Sequence, residues 1–414
     1  MKFIIAHPGQ QHSFRTATAL KRTGLLYKYL TTVYDRVGSL TSRILPFLSG
    51  NDFKKAKRRK CDALEDNEVV QFYELPALIT IFLAHFPWLS NIKNWWNLYV
   101  AKKFNIKVIE YTIKNHVDGI IVYDGTAKRN LDVLSKKVPN IITIMDVSIA
   151  VRPWMRYVYE QDMEKFNHND FYKEDPMLWN DRIMHDIESD LSHCRYFLAA
   201  SSIVKKSLIF CGVKSEQIKI LPYGVDVELF TPIEHTYKTD KLTLIFVGQL
   251  NRRKGLHHLL YCARELSDKI NIILVGGINP TFDLYKEYKD DKNISFTGFI
   301  DRDRLKEYYA HADVFVLPSL SEGMSLAGLE AMAFGMPILC SDHSGINDLV
   351  EDGINGYVFQ TGNLEDLKSK ICWFIENKSK CFSMGKRSRE IALEHTWERY
   401  YDDFAKILNE IVKR

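Results

Sequence analysis

The sequence predicts an α/β protein of two tandem domains, each a doubly wound parallel sheet, facing one another across a cleft. Three observations carry that reading. Between residues 242 and 341, short β-branched runs alternate with helical segments, the pattern of parallel strands joined by right-handed crossovers. In the first half, apolar runs end at acidic residues, Asp124 and Asp146, as buried strands do when their C-terminal ends meet a ligand. A length of 414 residues suits about two domains. Residues 1–230 are expected to form the first domain, 231–241 (polar, with Pro232) the linker, and 242–390 the second; residues 391–414 form a C-terminal helix expected to cross back to the first domain.

At 46% hydrophobic and 26% charged residues, the composition is that of a globular protein with a sizeable core. A formal net charge of +4 is small for this length, and no nucleic-acid-binding pattern accompanies it, so nucleic acid is not an expected partner. The 7 cysteines show no CxxC or CxH spacing, which fits reduced, mostly buried thiols in a cytosolic protein. The apolar run at Phe3 to Ala6 is too short for a signal peptide, and no stretch reaches the roughly 18 apolar residues of a membrane span. The expectation is a cytoplasmic protein, soluble or peripheral on the inner face of the cytoplasmic membrane.

Phe3 to Ala6 reads as a strand, followed by His7-Pro8-Gly9 and a helical pattern that ends at Gly24. That is how a nucleotide-type domain opens, with Gly9 letting a ligand approach the backbone; an ordinary strand-to-helix loop uses a glycine too. His12 either orients an acceptor or caps a backbone group. Residues 40–105 are the least regular. Six of the seven positions from Lys54 to Lys60 are basic, and an apolar, aromatic stretch from Leu75 to Leu89 precedes Trp95, Trp96 and Tyr99. A solvated loop and core aromatics explain these features separately; together they resemble an interfacial patch. Each basic residue near an anionic bilayer contributes about 1 kcal/mol, and Trp and Tyr favour the headgroup level. An anionic membrane surface is therefore a candidate partner, through Lys54–Lys60 and the Trp88–Tyr99 region.

The runs ending at Asp124 and Asp146 read as strands that deliver both carboxylates to the cleft. Arg195 to Ser202 is a further strand, with Ser202 as N-cap of the helix through Phe210, and Ile218 to Asp226 closes the first half. In the second half, strands are expected at Leu242–Gly248, Ile270–Gly276, Ile294–Gly298, Val314–Pro318 and Ile338–Ser341. The first of them runs into Gly248-Gln249-Leu250-Asn251-Arg252-Arg253-Lys254-Gly255. Three consecutive cations at a strand end suit a diphosphate, which Arg binds with a fork and Lys as a point charge. Gly276-Gly277 again leaves backbone close to a ligand. The segment Pro318–Pro337 has small residues in its turn and a helix opening near Ser325, closed by Gly335 and Pro337. The uncovered amides of such a helix start donate to an anion, and Glu322 and Glu330 flank it, eight residues apart. A molecule with phosphate at its middle and hydroxyls at both ends, such as a nucleotide sugar, suits that arrangement.

These segments, with Pro222–Asp226 and Ala200–Leu208, resemble the family 4 retaining glycosyltransferases (glycosyl transferases group 1), whose GT-B architecture pairs two Rossmann-like domains. The resemblance covers the second domain almost completely and the first through His7-Pro8-Gly9 and the strand ends. It implies that Arg253 and Lys254, with Arg252 as a further cation, neutralise a donor diphosphate, and that Glu330 accepts hydrogen bonds from the ribose. It implies that Gly323 and the amides of Met324, Ser325 and Leu326 hold the sugar and β-phosphate, and that Glu322 binds sugar hydroxyls near the reacting centre. Gly9, Gly248 and Gly276 are expected to line the donor site, with backbone near Phe299 and Ile300 selecting the base. Many relatives have Arg directly after the first Gly of the cationic motif; here Gln249 stands there, which shifts weight onto Arg252 and Arg253. Where many relatives place a cleft His, this chain has Asp146, so Asp146 is expected as base or orienter, with His12 and Asp124 on the acceptor side.

Breaking a sugar–phosphate bond builds negative charge on the leaving diphosphate, which preorganised cations and amides stabilise. No acidic metal-chelating motif accompanies the site, so no metal and no cofactor is expected, only a UDP- or GDP-sugar as co-substrate. The expected function is hexosyltransferase-type transfer to a glycan or lipid-linked acceptor in cell-envelope polysaccharide or lipopolysaccharide synthesis. A dinucleotide oxidoreductase would require GxGxxG with an acidic residue about twenty positions on, which is missing. The alternative is a non-catalytic nucleotide-sugar- or glycan-binding protein on the same fold.

Overall fold

The computed structural model describes residues 1–10, 12–126, 130–233 and 240–413; positions 234–239 of the expected linker lie outside the described residues. Seven strands form the first sheet: β1 (Phe3–Ala6), β2 (Leu26–Thr31), β3 (Val69–Gln71), β4 (Gly119–Tyr123), β5 (Ile142–Val147), β6 (Tyr196–Ala199) and β7 (Ile218–Ile220). Six form the second: β8 (Leu242–Val247), β9 (Ile270–Val275), β10 (Ile294–Gly298), β11 (Val314–Leu317), β12 (Ile338–Ser341) and β13 (Gly356–Phe359). Every strand pairing within the two sheets is parallel. The central strands β1, β4, β11 and β12 are buried along their whole length, as befits parallel sheets covered by helices on both faces. Strands β2, β3 and β13 leave little periodic trace in the sequence, because β3 and β13 are only three and four residues long and the first half of β2 is half-exposed.

The strand orders are β3-β2-β1-β4-β5-β6-β7 and β10-β9-β8-β11-β12-β13. In each, the order reverses once, between β1 and β4 and between β8 and β11, and ligands of open α/β sheets bind in the crevice at the C-terminal ends of such strands. His7-Pro8-Gly9 and Asp124 follow β1 and β4, while the cationic turn and the Pro318 segment follow β8 and β11.

The helix Trp397–Val412, capped by Thr396, packs on the first domain's helix Ser13–Arg22. Arg22 forks onto Glu398 at 2.5 and 3.0 Å, and Arg15 donates to the Tyr401 hydroxyl at 3.0 Å. Glycine is required at position 224, where a Cβ would lie 2.4 Å from the backbone nitrogen of Trp397. The helix expected after Ser202 starts there, but its N-cap is Ser201. The Ser202 hydroxyl and N–H instead donate to Asp348 of the second domain.

The aromatic stretch lies on helices Glu74–Leu83 and Ser90–Lys114 and on the short turn Pro87–Leu89 between them. It is surface: Leu75, Phe82, Trp88, Ile92 and Trp95 are all more than half exposed, as is Phe47 nearby. Among the described residues, no helix is long and apolar enough to cross a membrane.

Candidate active site

The cationic turn after β8 is shaped by short-range chemistry. The Asn251 side chain accepts the Lys254 N–H at 3.1 Å, and Gly255 takes a left-handed φ of +66°. A Cβ at Gly255 would sit 1.8 Å from the carbonyl oxygen of Pro318, so glycine alone lets the turn lie against the loop that follows β11. The Arg253 carbonyl accepts the Leu320 N–H at 2.9 Å across the same contact. Gly248 and Gly276 meet in the same close manner, a Cβ at Gly276 reaching within 1.8 Å of the Gly248 carbonyl.

Glu322 lies between the two cations. Its Oε2 accepts from Lys254 Nζ and, at 3.0 Å, from Arg253 Nη1, which also donates to the Ser321 carbonyl at 3.1 Å. Burial raises the Glu322 carboxyl, but Lys254 and then Arg253 outweigh it and hold it down at about 2. Burial likewise lowers the Lys254 ammonium, which Glu322 only partly restores. Two cations share one carboxylate, so the triad carries one net positive charge.

Arg252 differs from its neighbour. Its guanidinium is 2.7 Å from Asp170 and 3.7 Å from Glu174 of the first domain, and 3.0 Å from Asp283 of the second. Arg252 is thereby an interdomain strut, its guanidinium set among three carboxylates, whereas Arg253 turns to Glu322. Glu174, buried in this strut, has its carboxyl raised by burial to about 7, against the opposing pull of the Arg252 N–H and guanidinium.

Downstream, Ser325 N-caps the helix Leu326–Phe334, its hydroxyl accepting the Gly328 N–H at 3.1 Å. The first amides of a helix have no intrahelical acceptor, so Leu326 and its neighbours present N–H groups beside the triad. Glu330, one turn on, accepts from Arg302 Nη2 at 2.7 Å, and burial raises its carboxyl. Arg302, absent from the sequence reading, belongs to the loop that starts at Phe299 and Ile300; Phe299 is 70% exposed there.

The first domain closes on this loop. Ile149 bridges Gly323 in an antiparallel pairing, and the Ala150 N–H donates to the Glu322 carbonyl at 3.4 Å. A Cβ at Gly323 would lie 1.7 Å from the Ser148 carbonyl. The Ser201 hydroxyl donates to the Gly323 carbonyl at 2.7 Å. Asp124 accepts from both the N–H and the hydroxyl of Ser148, at 3.0 and 2.9 Å, so it fixes the bridging segment. Asp146 is 3% exposed, and its Oδ2 meets His12 Nε2 at 2.8 Å and the Thr16 hydroxyl at 3.0 Å. His12 makes no side-chain cap; Tyr223 packs on its other side, ring centroids 4.6 Å apart. Burial works against the charged imidazole, yet the charge of Asp146 and its hydrogen bond, with a further pull from Asp124, raise the His12 pKa. Gly9 donates its N–H to His7 Nδ1 at 2.8 Å and lines a cavity of about 370 Å³ with Arg59, Ile81 and Leu98. Ser148 and Arg302 carried no motif and are marked only by their spatial neighbours; Ser201 and Tyr223 lie in segments that carry the resemblance, but their partners Gly323 and His12 are set by the fold.

Residues 230–391 match the family model described as Glycosyl transferases group 1. The chain is 30% identical over 213 residues to the sulfoquinovosyl transferase SQD2 of Arabidopsis thaliana, covering 48% of this chain and 41% of that one. It is 25% identical over 227 residues to the amylovoran biosynthesis glycosyltransferase AmsK of Erwinia amylovora, covering 52% and 56%. The chain spans about half the length of the curated relatives it matches. Among solved structures, Anabaena Alr3699/HepE in complex with UDP is similar with a TM-score of 0.64 at 15% identity, over 99% of this chain and 100% of that one. At that identity the likeness is one of fold, the two-domain GT-B arrangement. Residues 230–391, which hold the cationic turn, the Glu322 loop and the helix after it, are thus the part of this chain that is similar to the glycosyl transferases group 1 family.

Proposed function

We propose that the chain is a retaining, metal-independent glycosyltransferase that moves a sugar from a nucleotide-diphosphate sugar to a lipid-linked or glycan acceptor in cell-envelope polysaccharide synthesis. The observation that carries this is the Glu322–Lys254–Arg253 triad at the crevice between β8 and β11, beside the open amides of the Leu326–Phe334 helix. A net positive, largely buried cradle is what a diphosphate leaving group needs, because preorganised charge inside a low-dielectric site is worth far more than in water. The two cations and the helix amides supply that charge themselves, which is why the transfer is read as independent of metal.

In the reaction, the bond between the anomeric carbon and the β-phosphate oxygen breaks and its electron pair goes to that oxygen, facing Lys254 and Arg253. The acceptor hydroxyl attacks the face the diphosphate leaves, and its proton passes to a leaving phosphate oxygen. Glu322 holds the cations and faces the sugar hydroxyls. Asp146, already accepting from His12 and Thr16, acts as the orienter of His12, and His12 meets the acceptor. Glu330 and Arg302 stand at the ribose end.

Alr3699/HepE has been solved with UDP and with UDP-glucose, so UDP-sugars are the first donors to test and GDP-sugars the second. The exposed face of Phe82, Trp88, Ile92 and Trp95, next to the cavity at Gly9 and the basic run Lys54–Lys60, supports a lipid-linked acceptor. The test is a thermal-shift screen of UDP- and GDP-sugars, followed by nucleotide release with isolated envelope lipids as acceptor. One cognate donor should raise Tm and be turned over. Donor binding with no nucleotide release under any condition would identify a binding protein instead. For the membrane contact, the chain should sediment with phosphatidylglycerol vesicles and not with phosphatidylcholine ones, and a Trp88→Ser/Trp95→Ser variant should lose that binding; equal binding by the variant rejects the patch.

A further inference from the structure

Outside the donor site, three imidazoles converge on one buried carboxylate at the domain interface. Asp162, on the first domain's helix Arg152–Phe166, is 4% exposed. Its Oδ2 lies 3.0 Å from His168 Nε2 and 2.9 Å from His257 Nε2, and its Oδ1 lies 2.9 Å from His258 Nε2. His257 and His258 belong to the second domain's helix Leu256–Glu265, which opens directly after the cationic turn. Protonation does not satisfy this cluster. The His257 and His258 ring centroids are 3.9 Å apart, so charging both sets like charges against each other, and one carboxylate balances only one of them. Asp162 Oδ1, His258 Nε2 and His257 Nδ1 are buried with no hydrogen-bond partner; the His258 approach is close in distance but not aligned.

One ligand atom each from Asp162, His168 and His257 all lie within 4.8 Å of one another, a span that bonds of about 2.0–2.2 Å draw together with small side-chain motion. Behind His168, Nδ1 accepts the Asp170 backbone N–H at 3.4 Å and has Asp170 Oδ2 3.6 Å away, near enough for that carboxylate to take the Nδ1 proton's hydrogen bond once a metal occupies Nε2, as carboxylates behind metal-bound histidines do. Two imidazoles, one carboxylate and an adjacent third imidazole form a borderline-soft nitrogen and oxygen set suited to zinc.

We propose that Asp162, His168 and His257, with His258 beside them, form a zinc-type divalent metal site that ties the first domain to the helix carrying the cationic turn. The site is separate from the transfer chemistry and stands whether or not the donor reading does. Asp170 serves both sides, facing His168 and, at 2.7 Å, the Arg252 guanidinium, so the metal would fix the strut that positions Arg253 and Lys254.

The full chain, stripped with a chelator and dialysed, is titrated with Zn²⁺ and Co²⁺, with bound metal counted by elemental analysis. We expect one equivalent per chain, a visible Co²⁺ ligand-field band and a rise in Tm on Zn²⁺ addition. His168→Gln and His257→Gln should each weaken binding about 100-fold or more, and Asp170→Asn, which removes no ligand, about 10-fold. His185→Gln, at an exposed position, should bind as wild type. Far-UV circular dichroism checks that each variant is folded. Absence of stoichiometric binding by the wild-type chain, or unchanged binding in folded His168→Gln and His257→Gln, overturns the site. So does a Tm that responds to pH through these histidines but not to metal, which would make the cluster a proton-only one.

Discussion

Replacing Lys254 by alanine deletes one of the two cations that Glu322 holds at the head of the cleft. Lys254 is 9% exposed and its ammonium contacts Glu322 Oε2, while Arg253 Nη1 stands 3.0 Å from the same oxygen. With one cation gone, the triad falls from one net positive charge to none, and the diphosphate leaves against Arg253 and the helix amides alone. Removing a single preorganised donor from such a site costs about 100- to 1000-fold in turnover, about 2.7–4 kcal/mol. We expect Lys254→Ala to lose at least ~100-fold in kcat for transfer. Stability should suffer less. Stripping a buried charge of its partner costs about 3–5 kcal/mol, but Glu322 keeps Arg253, so the variant should fold with a modest fall in Tm. The assay is nucleotide release from the cognate donor, run at single turnover so that product release does not mask the chemical step, with Tm measured alongside. Wild-type turnover in a folded Lys254→Ala protein would refute the leaving-group role.

Four further outcomes are expected. Glu330→Ala should raise the donor KM about 10-fold or more, since a hydrogen bond to a charged group contributes about 1.5–3 kcal/mol; steady-state kinetics with an unchanged KM rejects the ribose contact. Asp146→Asn should cut turnover with the acceptor while leaving donor affinity by calorimetry near wild type, and full turnover would remove Asp146 from the acceptor side. Withholding Mg²⁺ and Mn²⁺ should leave the transfer rate unchanged; dependence on either ion argues that the two cations do not suffice. Glu174 gives a pH signature: its folded carboxyl titrates near 7 and its unfolded one near 4.5, so the folded chain binds the extra proton between those values and stability falls as pH rises through them. Glu174→Gln cannot ionise, so by differential scanning fluorimetry it should melt above wild type at about pH 8 and close to it at about pH 5; the reverse ordering would refute the burial argument.

Several features were legible in the residues alone because they are local. Strand runs of β-branched residues, the glycine-bounded cations after β8 and the serine-capped helix start after β11 each depend on neighbours a few positions away, and the sequence shows them directly. The family resemblance rests on the same local motifs. Tertiary structure decided what the motifs are joined to. Glu322 and Lys254 are 68 residues apart and meet only because β8 and β11 lie side by side; His12 and Asp146, 134 apart, meet through the order β1-β4-β5. Arg252 and Arg253 are adjacent and chemically identical, yet a three-residue helical turn sends one to Asp170, Glu174 and Asp283 and the other to Glu322. No periodicity in the chain distinguishes them. The convergence of His168, His257 and His258 on Asp162 is likewise invisible in sequence, since its members come from two domains and follow no ligand spacing. Backbone propensity acts over a few residues, whereas charge pairing acts over a few ångströms, and only the packed sheets bring the second into register with the first.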